Sequence, residues 1–239
     1  ICVSFDHGAQ VFCPAGSVGM KMLETWRDAG VIEPWAGRHA QVRDGRLVPA
    51  DDRTRWVGVP GMNALVKHLL ADLDVRFTQR ITSISHADGA WLIRDTEDAP
   101  CGRFDRLVLG VPADQATPLL AEVEPELSAR IGKLPMQPSW AVMLSTDEIL
   151  DLPFDSAELT GHASLGWLAR NSAKPGRPAS PPECWVLAAH QAWSIEHLER
   201  EPDFVAGALV DAFRTVCRDH GVHLGDNLQA HAHQIGRAH

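Results

Sequence analysis

The most regular pattern of apolar and polar positions in this sequence lies between Arg55 and Ile84. Its first half places five apolar side chains at helical spacing, namely Leu65, Val66, Leu69, Leu70 and Leu73. Pro60 suits the first position of such a helix, where a missing N–H costs nothing, and Asp74 ends it. From Val75 onward apolar and polar positions alternate, which predicts a strand. A helix that leads straight into a strand is typical of an α/β domain.

Four other segments have the pattern of helices, at residues 18–29, 113–120, 124–131 and 203–218. Asp88 and Gly89 are typical of a tight hairpin turn, and residues 91–94 form the predicted return strand. A second, polar hairpin is indicated at residues 43–46. The run at residues 107–109 is continuously apolar, which predicts a parallel strand covered on both faces.

A second region begins near Ser139. It carries three strand patterns, at residues 140–144, 164–169 and 184–189. The loop at residues 171–182 is rich in proline. Strands joined by such long loops indicate a mostly antiparallel sheet, so the sequence predicts two parts of different construction.

The composition excludes several classes of partner. With 239 residues, 45% of them hydrophobic, the chain can bury one large core or two modest ones. Its formal net charge of −9 argues against nucleic acid and against an anionic membrane surface as partners. No apolar run approaches the length of a transmembrane helix. The five cysteines are scattered without a C-x-x-C pair, which fits reduced thiols in a cytoplasmic protein.

The sequence gives little support to hydrolytic or metal-dependent chemistry. Asp6 and His7 are adjacent, which is not a triad arrangement, and no G-x-S-x-G elbow occurs in the sequence. His231 and His233 are two positions apart, and no H-E-x-x-H motif or cysteine pair supports them. We therefore expect neither a hydrolase nor a metal site.

Residues 4–12, Ser-Phe-Asp-His-Gly-Ala-Gln-Val-Phe, resemble the segment f-D-x-G-A-Q-Y-f of flavin-containing amine oxidoreductases. Residues 59–84 resemble the family's v-P-x-G-M-x-x-L segment and the strand that follows it, most closely those of the bacterial renalase-like branch. Residues 104–112 resemble f-D-x-v-v-l-a-v-P, and residues 169–177 and 185–194 look like renalase-like segments. Together these motifs stand in the family's order and extend from residue 4 to about residue 233. One departure is Val11, where the family usually has Tyr.

This resemblance implies an α/β flavoprotein. Its FAD/NAD(P)-binding, Rossmann-like domain would comprise residues 1–17 and 55–115. That domain would be interleaved with a mostly antiparallel α+β substrate domain at residues 18–54 and 116–230. The sequence contains no G-x-G-x-x-G motif for the FAD pyrophosphate and no C-terminal Gly-Asp flavin segment. We therefore expect a fragment truncated at both termini, with a non-native tail at residues 235–239.

The resemblance also implies cofactor-binding residues, namely Gly8, Ala9, Gln10, Ile81, Val111 and Pro112. Gly8 would let the backbone approach the flavin ring closely, and Gln10 can offer both a donor and an acceptor to a ring edge or a substrate. Ile81 matches the position beside the adenine and would act through its backbone. Pro112 would lie beyond the carboxyl end of the predicted parallel strand, where open α/β sheets bind ligands.

Three side chains are candidates for the substrate cavity, namely Trp140, Trp167 and His190. The alternative is that the tryptophans belong to the core and the histidine to the surface, and the sequence leaves this open.

The function that follows is an FAD-dependent oxidoreductase that takes hydride from a small amine or dihydronicotinamide-like substrate and is reoxidised by O2. Because the cofactor performs the difficult step, no catalytic constellation is needed, and the catalytic residues stay unknown. The alternative is a flavin- or nucleotide-binding protein without catalysis. A small molecule is the expected partner, and the oligomeric state cannot be read from the sequence.

Overall fold

The computed structural model describes residues 4–43 and 45–235, and the chain divides into two compact units. Of the described residues, unit 1 comprises 4–72 and 138–235, and unit 2 comprises 73–137. The chain has an α/β fold with a mixed sheet, which confirms the predicted fold class.

The strands are, in chain order, β1 (Ile32–Pro34), β2 (His39–Arg43), β3 (Arg46–Pro49), β4 (Trp56–Gly58), β5 (Ile81–Ala87), β6 (Ala90–Asp95), β7 (Pro100–Phe104), β8 (Ser139–Thr146), β9 (Ser156–Thr160), β10 (Leu165–Arg170), β11 (Glu183–Ala189) and β12 (Leu228–Ile235). The α-helices are α1 (Gly16–Asp28), α2 (Asn63–Leu69), α3 (Ala113–Leu120), α4 (Pro125–Ile131), α5 (Gln191–Glu196) and α6 (Pro202–Asp219). A short 3₁₀ turn covers Asn171–Ala173.

Unit 1 is built on a seven-stranded sheet with the order β12-β8-β11-β10-β9-β2-β3. Its neighbouring strands are antiparallel except for β2 and β9, which pair in parallel with His39 opposite Ser156. The three strands predicted at residues 140–144, 164–169 and 184–189 are confirmed as β8, β10 and β11. The smaller pair β1–β4 receives Phe12, which exchanges both backbone hydrogen bonds with Trp56.

The core of unit 1 lies around the central strands β8 and β11, which are buried on both faces. Helix α6, predicted at residues 203–218, supplies an apolar side to this core through Val205, Leu209, Phe213 and Val216, all of them buried. Trp185 on β11 is fully buried, with its ring 5.2 Å from that of Phe213. The predicted antiparallel sheet therefore exists and carries the larger core.

Unit 2 combines the antiparallel sheet β5-β6-β7 with helices α3 and α4. The predicted hairpin turn is confirmed, since Asp88 and Gly89 take φ values of 50° and 72° between β5 and β6. Its buried apolar cluster is small and consists of Ile84, Ala116 and Leu120.

The structure corrects the predicted helix and strand between residues 60 and 84. Pro60 is not at a first helical position, because the chain turns at residues 59–62 and α2 begins at Asn63. The helix ends at Leu69, before the predicted stop. The strand begins only at Ile81, because Thr78 has a left-handed φ of 58°, which interrupts extended backbone.

The structure also corrects the parallel strand predicted at residues 107–109. The described residues place no strand there, and Val108 is 90% exposed. An apolar run becomes a covered strand only where neighbouring strands supply hydrogen bonds and a second layer covers its faces. Within unit 2 the sheet is complete without this segment, in the order β5-β6-β7.

The two compact units do not follow the predicted domain boundaries. Residues 4–17 and 55–72 belong to unit 1, whereas residues 116–137 belong to unit 2. The assignment of cofactor and substrate domains stays a prediction. Ile235 ends β12, residues 236–239 of the predicted non-native tail lie outside the described residues, and so does Asp44 of the polar hairpin.

Candidate functional site

The Asp6 carboxylate is a meeting point for three distant segments of unit 1. Its Oδ2 accepts hydrogen bonds from Lys174 Nζ at 3.2 Å and from Arg177 Nη2 at 2.6 Å. Its Oδ1 accepts the backbone N–H of Met62 at 2.9 Å, just before α2 begins. With Gln10, which also contacts Lys174, these residues form the Asp6 cluster: Asp6, Gln10, Lys174 and Arg177.

The loop that carries the two cations is held in place by hydrogen bonds from Arg177 to backbone carbonyl oxygens and by the conformation of Gly176. Arg177 Nη1 donates to the carbonyl oxygens of Gly58 and Pro175, both at 2.6 Å. Gly176 has a φ of 74°, and a Cβ there would lie 2.7 Å from Val59 Cγ1. Only glycine combines that conformation with that close approach, so the sequence Lys-Pro-Gly-Arg presents both cations to one carboxylate.

The N-terminal motif is tied to the same loop by backbone contacts. Asn171 Nδ2 donates to the carbonyl oxygen of Ser4 at 3.0 Å, and the backbone N–H of Asp6 donates to Asn171 Oδ1 at 3.4 Å. Asn171 is buried in the 3₁₀ turn that follows β10. The motif at residues 4–12 is therefore fixed at one end by this asparagine and at the other by β4.

The Asp6 cluster is buried and carries an excess of positive charge. The exposed fractions of the side chains are 0% for Lys174, 4% for Arg177 and 9% for Asp6. Burial lowers the pKa of Lys174 to about 8, although the Asp6 carboxylate favours the charged ammonium. Burial raises the pKa of Asp6, but the Met62 N–H, Lys174 and Arg177 together outweigh it and lower that pKa below its ordinary value. Two cations face one carboxylate.

Gln10 uses its polar atoms inside the cluster. Its Oε1 accepts a hydrogen bond from Lys174 Nζ at 2.9 Å. Its Nε2 donates to the carbonyl oxygens of Gly8, at 3.1 Å, and of Asp6. Gly8 and Ala9, between these anchors, are exposed, and the space beside the Gly8 Cα is open. Three of the predicted cofactor residues, the consecutive Gly8, Ala9 and Gln10, thus lie in one loop. The side chain of Gln10 is hydrogen-bonded within the protein, and the loop tip at Gly8 and Ala9 is exposed.

An aromatic wall lies behind Lys174. Its Nζ is 5.6 Å from the centre of the Trp35 ring, a cation–π distance. Trp35 is held by His39, whose Nε2 bonds to the Trp35 carbonyl oxygen at 2.9 Å. Burial lowers the pKa of His39 below its ordinary value. Trp167 packs in the same apolar cluster as Trp35, and its buried indole N–H has no acceptor in the described part of the chain.

The other two predicted substrate residues have different surroundings. Trp140 is buried in the main core of unit 1, where its indole N–H donates to the His197 carbonyl oxygen at 3.0 Å. His190 is exposed and caps α5, accepting the backbone N–H of Ala192 at 3.4 Å. A substrate-binding role for these two residues stays a prediction.

The remaining predicted cofactor residues lie in unit 2. Ile81 begins β5 opposite Asp95, and Pro112 is the residue before α3. Val111 is exposed and borders a cavity of about 650 Å³. The cavity is apolar apart from one acidic residue, and it is lined by Ile84, Trp91, Leu107, Val108, Leu109, Val111, Ala113, Ala116, Leu120, Glu124, Leu127, Ile131 and Leu134.

The ion pairs of Asp6 with Lys174 and Arg177 were not predicted from the sequence. All three lie in motifs that carry the family resemblance, and a signal was present. Two cations three positions apart around a Pro-Gly turn can aim at one acceptor, and Asp6 is the acid of the N-terminal motif. What the sequence does not reveal is the pairing itself, since Asp6 and Lys174 are 168 positions apart.

Comparison with solved structures supports the fold. A crystal structure described as "Putative protoporphyrinogen oxidase from Exiguobacterium sp. 255-15" matches with a TM-score of 0.57 and 18% identity over 78% of this chain. An oxidoreductase from Methanosarcina mazei matches with a TM-score of 0.50 and 13% identity over 74% of this chain. The chain spans 41% and 43% of the lengths of these two proteins. No family model matches the sequence.

Neither a metal-binding group of side chains nor a membrane-spanning helix occurs among the described residues. No group of three or more histidine, cysteine or acidic side chains there could hold a metal ion. Among the helices that the structure describes, none is both long and apolar enough to cross a bilayer. His233 instead makes an edge contact with His7, with ring centres 4.9 Å apart.

Proposed function

We propose that the protein is an FAD-dependent oxidoreductase of renalase-like type, which moves hydride from a small amine or dihydronicotinamide-like substrate to the flavin, with O2 as the final acceptor. The observation that carries this proposal is the convergence on Asp6 of three segments that resemble this family. These are the N-terminal motif, the turn at residues 58–62 and the loop at residues 171–177. The α/β fold shared with two oxidoreductases supports it.

The residues present fit a flavin in three respects. The exposed backbone at Gly8 has open space where a side chain would begin, so a flat ring can lie closer to this position than to a residue with a Cβ. The excess positive charge of the Asp6 cluster favours an electron-rich group nearby. The unpaired indole N–H of Trp167 suits an oxygen of the cofactor or substrate, because a buried donor without an acceptor is unfavourable.

The proposed reaction gives a task to the cofactor and to each part of the site. When bound, FAD supplies the hydride acceptor. Lys174 and Arg177 stabilise negative charge that develops beside the cluster, and Asp6 keeps the two cations in place. The tryptophans at positions 35 and 167 form an apolar wall that limits access of water. Ile81, Val111 and Pro112 remain proposed contacts of unit 2, with Ile81 acting through its backbone.

The test uses the protein expressed from its complete gene and purified with FAD. We expect anaerobic mixing with a panel of small amines and dihydronicotinamide isomers to bleach the flavin absorbance with at least one compound. Gln10→Ala should slow this reduction about tenfold, because it removes a hydrogen bond to a charged group that orders the 6–10 loop. The matched control is Gln229→Ala, an exposed glutamine on β12.

Two outcomes would overturn the proposal in different ways. If FAD binds but no compound reduces it, the protein is a non-catalytic flavin-binding protein. If Gln10→Ala reduces as fast as the unaltered protein, the 6–10 loop does not belong to the reacting site.

A further inference from the structure

The loop at residues 6–10 is closed by the side chain at its own end. Gln10 Nε2 donates to the carbonyl oxygens of Gly8 and Asp6, so five residues form a compact loop with Gly8 and Ala9 at the tip. Neither tip residue has a side chain longer than a methyl group, and both are exposed. The two tip residues themselves therefore carry no side chain larger than a methyl group that could screen their backbone from a ligand.

Lys174 donates hydrogen bonds to residues at both ends of this loop. Its single ammonium donates to Asp6 Oδ2 at 3.2 Å and to Gln10 Oε1 at 2.9 Å. The second bond also sets the amide orientation of Gln10, because the opposite orientation would point the NH2 group at a cation. The amide donors are then left for the loop carbonyls. One buried side chain therefore fixes the loop's ends and its internal closure.

The Lys174 ammonium has few other hydrogen-bond partners to choose from. The charged groups that face it are Asp6 and Arg177, and its other neighbours are Gln10 and the Trp35 ring. Arg177 Nη2 donates to the same carboxylate oxygen at 2.6 Å. An ammonium that left this position would lose two charge-assisted bonds and leave a buried carboxylate with one partner fewer.

We propose that Lys174 is a positioning residue that clamps Asp6 and Gln10 together and thereby presents the Gly8–Ala9 backbone to the flavin. This inference rests on the proposed function for the identity of the ligand. The ordering of the loop does not depend on that identity, and the two parts can therefore be tested separately.

The first test measures backbone order parameters by NMR relaxation in the cofactor-free chain. Lys174→Met keeps most of the length of the side chain and removes both hydrogen bonds. We expect the order parameters of residues 8–10 to fall below about 0.6, while those of β8 and β11 stay near about 0.85. Lys21→Met, at an exposed lysine on α1, is the matched control and should change neither.

A second variant covers the case in which Lys174→Met does not fold. Gln10→Leu leaves the ion pairs of Asp6 with Lys174 and Arg177 intact and removes the Lys174–Gln10 bond together with the two Gln10 bonds that close the loop. It should produce the same local fall in the order parameters. Unchanged order parameters at residues 8–10 in a folded variant, or a uniform fall throughout unit 1, would overturn the positioning role.

The second test measures the FAD dissociation constant by fluorescence quenching with the protein expressed from its complete gene. Both variants should bind FAD at least about tenfold more weakly, and the Lys21→Met control should bind like the unaltered protein. If the order parameters fall but the affinity is unchanged, Lys174 orders the loop but the loop does not receive the flavin, and the proposal fails. If the unaltered protein itself does not bind FAD, the proposed function fails, while the order parameters still decide whether Lys174 orders the loop.

Discussion

The two units of this chain bury apolar surface to very different extents. Unit 1 has a large core in which Phe154, Trp185 and Phe213 are fully buried beneath and within a seven-stranded sheet. Unit 2 buries only Ile84, Ala116 and Leu120 in its cluster and leaves an open apolar cavity of about 650 Å³. The units also differ in their buried polar groups, since the buried Asp6 cluster belongs to unit 1.

This difference shows where the chain specifies its own structure. In unit 1 each strand of the sheet finds its neighbours within the unit, and the polar cluster is satisfied by residues of the same unit. In unit 2 the apolar segment at residues 107–109 finds no strand partner in the described chain. A long apolar pattern is therefore a better predictor of burial in unit 1 than in unit 2.

The largest expected effect is on the core of unit 1. Phe213→Ala should lower the free energy of unfolding by about 3–5 kcal/mol, since it leaves a cavity against Trp185. The matched control is Phe204→Ala on the same helix, where the ring is 49% exposed and we expect a loss below about 1 kcal/mol. Urea unfolding followed by circular dichroism measures both. Equal losses in the two variants would contradict the assigned core.

A smaller effect is expected from the ionisation of Lys174. Its pKa is about 8 in the folded chain and 10.5 when unperturbed, so between these values the unfolded chain binds a proton that the folded chain does not. Stability from this group should therefore rise with pH, by on the order of 3 kcal/mol across that window.

The measurement is the difference in unfolding free energy between the unaltered chain and Lys174→Met, taken from pH 7.5 to 10.5. The difference is needed because burial raises the pKa of Cys217 to about 12, which makes stability fall with pH above the ordinary thiol pKa. That contribution is common to both proteins and cancels. A difference that stays flat with pH would contradict the buried, partly compensated ammonium.

The smallest effect on stability is expected at the open cavity of unit 2. Val108→Lys should change the free energy of unfolding by less than about 0.5 kcal/mol, because the side chain is exposed. It should nevertheless reduce the fluorescence of an apolar dye and slow aggregation, because it places a charge at the cavity. Val18→Lys, at an exposed valine of unit 1, should leave dye binding unchanged. Dye binding equal in all three proteins would contradict an open apolar face.

Local sequence signals predicted much of the fold. The turn at Asp88 and Gly89 and the amphipathic pattern of α6 were sufficient to predict a hairpin and a long helix, because both depend on neighbouring residues. The predicted strand from Val75 failed because the left-handed Thr78 is not encoded in the alternation of apolar residues. The parallel pairing of β2 with β9 was not predictable either, since it joins segments 117 residues apart.

The candidate site was predictable only in part. The Gly-Ala-Gln sequence indicated a loop that a flat ring can approach, and that loop is exposed at Gly8. The electrostatic partner of Gln10 was not predicted, because a lysine 164 positions away becomes a partner only once the sheet has formed. The lowered pKa of this lysine was not predictable either, because it depends on burial, and the same lysine on the surface would have an ordinary pKa.

The central claim is that Asp6 assembles a flavin site from three segments of unit 1, and the affinity for FAD tests it most directly. In protein expressed from its complete gene, Asp6→Asn should weaken FAD binding at least about tenfold, because it removes the negative charge with which both Lys174 and Arg177 form ion pairs. Asp226→Asn, at a fully exposed aspartate, is the control and should bind FAD like the unaltered protein. A folded Asp6→Asn variant with unchanged FAD affinity would contradict the claim.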